Sequence, residues 1–155
     1  MTQIKSVIFV CLGNICRSPT AHGIFRDKAA QAGLEVVVDS AGTGDWHIGS
    51  PPDLRATRAA HMRGYDLSDL RARQFTAADF DAFNLIFAMD RANQRAIEAQ
   101  RPSGNTTNVQ LFLDLIGQKG GDVPDPYLDG SFEHVLDMIE HGADMLISRL
   151  EKGQG

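Results

Sequence analysis

Cysteine is scarce in this sequence: there are two, Cys11 and Cys16, five positions apart. Such a pair is not the cysteine framework of a small secreted domain, which favours a reducing cytoplasm as the location. Long hydrophobic runs are missing as well, since none approaches the roughly 18 apolar residues that a membrane helix needs. The apolar stretch at residues 7–10 is too short for a signal peptide. We therefore expect a cytoplasmic protein with no membrane partner.

Positive charge is in short supply: 15 lysine and arginine residues stand against 20 aspartate and glutamate residues, for a formal net charge of -5. This balance argues against a nucleic-acid partner, because the phosphate backbone of nucleic acids favours basic protein faces. A single phosphate can still bind, since backbone N–H groups and one arginine can hold it inside an otherwise acidic molecule. The 155 residues, 43% of them hydrophobic, show no repeat or linker, so we expect one domain over residues 1–155.

Short apolar strands alternate with helical patterns along the chain. Strands are predicted at residues 4–10, 34–39, 85–88 and 108–113. Helices are predicted at residues 18–30, from a capped start at 50–53 to 64, shortly after 76, at 90–99 and at 131–150. Ser18 is expected to cap the first helix, with Pro19 at its first helical position. The alternation predicts an α/β fold, a single-domain, doubly wound, four-stranded parallel sheet with strand order 2-1-3-4 and helices on both faces.

The loop between the first strand and the first helix has the composition of an anion cradle. Its sequence runs Cys-Leu-Gly-Asn-Ile-Cys-Arg over residues 11–17. Loop N–H groups and the helix N-terminus provide partial positive charge, while Gly13 permits close approach and Asn14 tolerates left-handed geometry. Arg17 adds a planar fork that suits two phosphate oxygens. These groups and the Ser18 hydroxyl are expected to acidify the Cys11 thiol and so make it a nucleophile.

The spacing of Cys11 and Arg17 is not specific by itself, because a buried cysteine and an unrelated surface arginine would also fit it. The combination is specific: a strand precedes, a helix follows, and glycine, asparagine and a following serine have the required positions. No Gly-Lys-Ser/Thr follows the glycine, so the loop is not that of a nucleotide-binding P-loop.

Five blocks resemble, in order, the low-molecular-weight protein tyrosine phosphatases: residues 10–19, Asp-Ser-Ala-Gly-Thr at 39–43, Trp46, Ala-Met-Asp at 88–90 and Asp-Pro-Tyr at 125–127. The resemblance implies hydrolysis of phosphotyrosine through a phosphocysteine on Cys11, with Arg17 holding the phosphoryl group. It implies inorganic phosphate as product and neither cofactor nor metal. It also implies that Ser40 supports the loop, and that substrate or phosphate contacts come from Leu12, Gly13, Asn14, Ile15, Cys16, Ser18, Trp46 and Tyr127.

Asp125 is the candidate general acid and base. A phenolate leaving group needs a proton donor, and hydrolysis of a phosphocysteine needs a base that activates water. Pro126 disfavours a helical conformation at Asp125 and so restricts the directions of its carboxylate. An isolated Asp-Pro could merely open a turn, but the resemblance places it over the cysteine loop. Tyr127 and Trp46 are candidate aromatic walls of a slot too deep for phosphoserine.

Cys16 has two interpretations. It is either a small buried hydrophobe at the start of the helix or, as the resemblance also suggests, a partner that pairs reversibly with Cys11 under peroxide.

Three departures from the family pattern concern His22, Leu128 and Arg63. His22 stands where members usually have glutamate, and the sequence shows no partner for it. Leu128 replaces a second tyrosine, and Arg63 stands where some members have a loop-supporting histidine. Four further arginines are interpreted as a solvated basic face, or as a dock for an acidic phosphopeptide: Arg55, Arg58, Arg71 and Arg73.

Three other functions compete with this interpretation. An arsenate reductase of the same fold would need cysteines after Cys16, and none follows. Protein-arginine phosphatases carry threonine where this chain has Ile15, and a branched apolar residue suits an aromatic substrate better. A phosphotyrosine-binding module without activity would lack Cys11, Arg17 or Asp125, and all three are present. The expected partner is a tyrosine-phosphorylated protein, such as a bacterial tyrosine kinase.

Overall fold

Four parallel strands form the centre of the protein, of which a computed structural model describes residues 4–153. The ends of the predicted domain, residues 1–3 and 154–155, lie outside the described residues. The strands are β1 (Ser6–Cys11), β2 (Val37–Gly42), β3 (Leu85–Ala88) and β4 (Asn108–Leu111). All pair in parallel in the order β2-β1-β3-β4, so the predicted topology is confirmed.

Helices cover both faces of the sheet, as predicted. They are α1 (Arg17–Gln31), α2 (Leu54–Met62), α3 (Asp79–Ala82), α4 (Arg91–Glu98), α5 (Pro126–Asp129) and α6 (Phe132–Glu151), with a 3-10 helix at Phe112–Ile116. Alternate residues of β1 face two separate cores. Phe9 faces the core of α1 and α6, while Ile8 faces the core that holds Phe80 and Ile97. Because both faces of β1 are covered, its sequence is an uninterrupted apolar run rather than an alternating one.

Aromatic packing anchors β1 beneath the loop that follows it. The Phe9 ring lies 5.8 Å from that of Phe25, 5.7 Å from that of Phe87 and 6.0 Å from that of Phe112, measured between centroids. Each such pair contributes about 0.5–1.5 kcal/mol beyond the burial of its area. The end of β1, and with it Cys11, is therefore held by a rigid core.

The second strand was predicted at residues 34–39, but the structure places β2 at Val37–Gly42. The Ser-Ala-Gly end has weak strand propensity. It is nonetheless extended, because it pairs with the last residues of β1 up to Cys11 and Gly42. Tertiary pairing therefore overrides local preference there. The fourth strand ends at Leu111 rather than at residue 113, because the 3-10 helix begins at Phe112.

The predicted cap of the first helix is wrong. α1 begins at Arg17, with Cys16 in the capping position and no side-chain cap, and Pro19 is its third residue. The hydroxyl of Ser18 faces the Cys11 sulfur instead of an end of the helix. Proline is tolerated in this turn because the first four N–H groups of a helix have no partner within it.

Two other predicted helix starts are confirmed by their hydrogen bonds, whereas α3 begins only at Asp79 and neither α3 nor α6 has a side-chain cap. The Asp53 carboxylate accepts from the N–H of Arg55, and that of Asp90 accepts from the N–H of Asn93. Among residues 4–153, no helix has the length and apolarity needed to cross a membrane.

Candidate active site

Cys11 is the last residue of β1, at the carboxyl edge of the sheet where such folds bind ligands. Only 2% of its surface is exposed. Its sulfur lies 2.9 Å from the hydroxyl oxygen of Ser18 and accepts from the backbone N–H of Asn14 at 3.3 Å. A hydroxyl group from the first turn of α1 and an N–H group from the loop therefore converge on one sulfur atom.

Three carbonyl groups of the loop accept hydrogen bonds from segments outside it and therefore point away from its centre. The Thr43 N–H donates to Cys11 O, the Gly44 N–H to Leu12 O and the Asp53 N–H to Ile15 O, at 2.7–2.9 Å. In a trans peptide the N–H lies opposite the C=O. The N–H groups that follow these carbonyls therefore face the centre of the loop, and they belong to Leu12, Gly13 and Cys16.

Asn14 holds the loop in this shape. Its backbone is left-handed, with φ of 56°, a conformation that asparagine tolerates better than most residues. Its side chain donates to the Ser18 hydroxyl at 2.8 Å and accepts from the Arg73 backbone N–H at 3.0 Å. Because Asn14 occupies a lone pair of Ser18, the hydroxyl hydrogen can point to one of two acceptors, the Cys11 sulfur at 2.9 Å or the Ala41 carbonyl at 3.4 Å, and the sulfur is the nearer.

Gly42 and Arg73 support the loop from outside, and the sequence reasoning assigned no such role to either. A side chain at Gly42 would bring its Cβ within 2.8 Å of the Leu12 carbonyl oxygen, so this position requires glycine. Arg73 is not part of a solvated basic face, because it pairs with Asp39 at 3.0 Å and Asp79 at 2.9 Å. Its carbonyl also accepts from the Gly42 N–H. These contacts fix the position of the Arg73 backbone, whose N–H donates to the Asn14 side chain.

Arg17 is buried, with 3% of its side chain exposed, and its orientation is determined by acceptors on two other loops. Its guanidinium donates to Asp90 at 2.6 Å and to the Val123 carbonyl at 3.1 Å, and lies 3.7 Å from Asp125. Burial disfavours the charge, but Cys11, Asp90 and Asp125 outweigh it and raise the Arg17 pKa above its usual value.

Asp90 is a site residue that the sequence predicts only as a helix cap and as part of a family motif. It follows β3, the neighbour of β1 in the sheet, so its carboxylate lies beside the cysteine loop. One oxygen caps α4 and the other accepts from Arg17. The sequence signal for this role is a carboxylate that closely follows a strand expected to lie beside β1.

Asp125 lies at the start of α5 with the extended backbone that Pro126 was expected to impose. One carboxylate oxygen accepts from the Tyr127 N–H at 3.1 Å, and the other lies 3.7 Å from Arg17. Asp125 and Cys11 line the same cavity of about 190 Å³. The topology thus brings together two groups that are more than a hundred positions apart in the sequence.

The aromatic pair stands at the mouth of this cavity. Trp46 is 68% exposed and Tyr127 is 48% exposed, and both line the cavity. Gly44 lies beneath the Trp46 ring, which leaves no room for a side chain there. The complete lining comprises Cys11, Leu12, Gly13, Ile15, Cys16, Arg17, Trp46, His47, Asp125, Tyr127 and Leu128. His47 and Leu128 are therefore additional cavity residues.

Cys16 faces the same cavity but is electrostatically unlike a nucleophile. Burial raises the pKa of its thiol far above the usual value, with further contributions from Asp53 and Cys11. Both cysteines are free thiols in the structure.

Ser40 and His22 form a pair one layer away from the loop. The Ser40 hydroxyl lies 2.9 Å from Nδ1 of His22, which therefore has a partner, contrary to the sequence reasoning. Burial and the nearby Arg26 lower the pKa of His22 to about 4, so its ring is neutral near pH 7. Arg63 is not in a loop-supporting network, since it pairs with Glu133 and Asp137 of α6, both at 2.9 Å.

A thiol at the focus of inward-facing amides, with a fixed arginine and a carboxyl group across a narrow cavity, defines an enzyme that transfers a phosphoryl group to cysteine. Among residues 4–153, no group of three or more histidine, cysteine, aspartate or glutamate side chains could hold a metal ion.

Comparison with known proteins specifies this class. The family model described as low molecular weight phosphotyrosine protein phosphatase matches residues 6–154, and the chain belongs to that family. It is thus a protein-tyrosine phosphatase, a hydrolase.

Relatives match over nearly the whole chain. The chain is 43% identical over 150 residues to the low molecular weight protein-tyrosine-phosphatase YfkJ of Bacillus subtilis, covering 95% of this chain and 96% of that one. The crystal structure of YfkJ has a TM-score of 0.92 and covers 99% of both chains. A Drosophila arginine phosphatase has the same fold, with a TM-score of 0.86, 31% identity and coverage of 92% and 96%.

Proposed function

We propose that the protein dephosphorylates phosphotyrosine in two steps, beginning with phosphoryl transfer to Cys11. The thiolate attacks phosphorus, an S–P bond forms, and the bond between phosphorus and the phenolic oxygen breaks. Asp125 gives its proton to that oxygen, so the tyrosine leaves as a neutral phenol. The observation that supports this most strongly is the convergence of Ser18 and Asn14 on the Cys11 sulfur.

The second step frees the enzyme. Asp125, now ionised, accepts a proton from water while the water oxygen attacks phosphorus and the S–P bond breaks. Inorganic phosphate is released and the thiolate is restored. In both steps Arg17 and the inward-facing N–H groups of Leu12, Gly13 and Cys16 stabilise the negative charge on the equatorial phosphoryl oxygens.

Two aromatic side chains and one branched apolar side chain line the cavity and support phosphotyrosine as the substrate. Trp46 and Tyr127 can stack on a phenyl ring, and Ile15 presents a branched apolar side chain to the cavity. The ring carries its phosphorus far enough to reach a recessed sulfur, whereas phosphoserine is shorter. The cavity thus selects by depth and by apolar contact.

A substrate panel in the presence of a chelator tests this assignment. We expect matched peptides with phosphotyrosine to be hydrolysed at least about a hundredfold faster, as kcat/KM, than those with phosphoserine or phosphoarginine. Faster hydrolysis of the phosphoarginine peptide would instead assign the activity named for the Drosophila relative. Release of phosphate is the measurement, and the Cys11→Ser variant provides the background.

We also propose that Cys16 protects Cys11 from irreversible oxidation. Both thiols line the cavity, so a Cys11 sulfenic acid formed by peroxide can condense with the Cys16 thiol, releasing water and forming a disulfide. Replacing Cys16 with serine is expected to leave turnover in reducing buffer unchanged but to reduce the activity recovered by thiol after peroxide treatment. Equal recovery of variant and parent would contradict this role.

The proposed partner is a tyrosine-phosphorylated protein in the cytoplasm, including a bacterial tyrosine kinase. A reducing compartment keeps Cys11 as the thiol that the reaction needs.

A further inference from the structure

The first turn of α2 contacts both sides of the catalytic cavity. On one side the backbone N–H of Asp53 donates to the Ile15 carbonyl of the cysteine loop at 2.7 Å. The Asp53 carboxylate in turn accepts from the backbone N–H of Arg55 at 2.8 Å and pairs with its guanidinium at 3.3 Å. Arg55 is thus tied to the segment that carries the nucleophile.

On the other side Arg55 reaches the segment that carries the acid. Its guanidinium donates to the Tyr127 carbonyl at 3.3 Å. The same group lies over two rings, 5.6 Å from the centroid of Tyr127 and 4.8 Å from that of Phe132. A planar guanidinium can stack on a ring with its face while its edge donates a hydrogen bond, a geometry that a compact ammonium group does not reproduce.

Few other polar contacts fix the acid segment, residues 125–129. Apart from local bonds to residues 130 and 131, the hydrogen bonds and ion pairs that join it to the rest of residues 4–153 come from Arg17 and Arg55. The contact from Arg17 is a 3.7 Å ion pair. Pro126 is buried and packs the backbone of the segment, but the direction of the Asp125 carboxyl depends on its bond from the Tyr127 N–H and therefore on what holds Tyr127.

We infer that Arg55 is a positioning residue, which holds Asp125 and Tyr127 over the phosphoryl site by joining the acid segment to the cysteine loop. The inference rests on the proposed function, because its effect is transmitted through the proton that Asp125 donates. Half of the Arg55 side chain is exposed, at 50%. A merely structural contribution to folding is therefore small, whereas a displacement of about 1 Å in a proton donor costs much more in rate.

A double-mutant cycle tests the inference. The Arg55→Lys variant keeps the charge and removes the planar fork. We expect it to lower kcat/KM for phenyl phosphate about tenfold in the parent and less than about twofold in an Asp125→Asn background. Arg58→Lys is the matched control, since Arg58 lies one turn further along α2, is exposed, and makes no side-chain hydrogen bond, ion pair or ring contact among residues 4–153.

A substrate with an acidic leaving group adds a second readout. Dinitrophenolate departs without a proton, so the Arg55→Lys defect is expected to shrink below about threefold with dinitrophenyl phosphate. Equal defects in the two backgrounds, no defect with phenyl phosphate, or an equal loss in Arg58→Lys would each overturn the inference. A lower melting temperature accompanied by equal losses on both substrates would show a structural role only. If Asp125→Asn alone is as active as the parent on phenyl phosphate, the proposed acid fails instead, which separates the two failures.

Discussion

Replacing Cys11 with serine is expected to lower kcat for phosphotyrosine peptides by about four orders of magnitude or more, as removal of a covalent nucleophile does in other enzymes. The serine oxygen is not ionised near neutral pH, and its shorter bond to Cβ leaves it further from phosphorus. The N–H groups of the loop and Arg17 bind the phosphoryl group but transfer nothing without the sulfur. Release of inorganic phosphate at saturating substrate is the measurement.

The control for this variant is binding. Because the inward-facing amides and Arg17 do not depend on the sulfur for their positions, Cys11→Ser is expected to bind phosphate about as tightly as the parent, measured by calorimetry. The Cys16→Ser variant is a matched thiol deletion in the same loop and is expected to retain turnover in reducing buffer. Activity above about one per cent in Cys11→Ser would rule out a covalent route through this residue.

Replacing Asp125 with asparagine is the second large effect. We expect kcat/KM for phenyl phosphate to fall by about 10²–10⁴, the range typical of losing a general acid. The asparagine side-chain oxygen can still accept from the Tyr127 N–H, as the carboxylate does at 3.1 Å. The fold of the acid segment is therefore preserved while the transferable proton is lost.

The dependence on the leaving group identifies this loss. An aryl oxygen that is a stronger base needs the proton more, so a series of aryl phosphates is expected to give a steeper fall of log kcat/KM with leaving-group pKa in Asp125→Asn than in the parent. The two enzymes are expected to converge for the most acidic phenols. Parallel lines across the series would assign Asp125 to binding rather than to proton transfer.

The cysteine loop could be predicted from the sequence because its parts are contiguous. A strand, a turn with glycine and asparagine, and a helix start follow one another over residues 6–18, so local preferences alone place Cys11, Asn14 and Ser18 together. The strand order and the helices on both faces follow from the alternation of strand and helix patterns.

The supports of that loop could not be predicted, because each comes from a distant part of the chain. The partners of Arg17 are 73 and 106 positions away, and the backbone donor to Asn14 is 59 positions away. The role of Gly42 depends on the approach of the Leu12 carbonyl across paired strands. The first helix also starts one residue before the predicted cap, because Ser18 serves the sulfur rather than the helix end.

The two oxygens of Asp90 have an evolutionary consequence. One oxygen begins α4 and the other accepts from Arg17, so unwinding the start of that helix also removes one of the acceptors that orient the arginine. Substitutions along α4 that loosen its first turn are therefore expected to lower turnover, although most of the helix does not contact a substrate. Natural selection on catalysis thus also acts on residues of α4 that do not line the cavity.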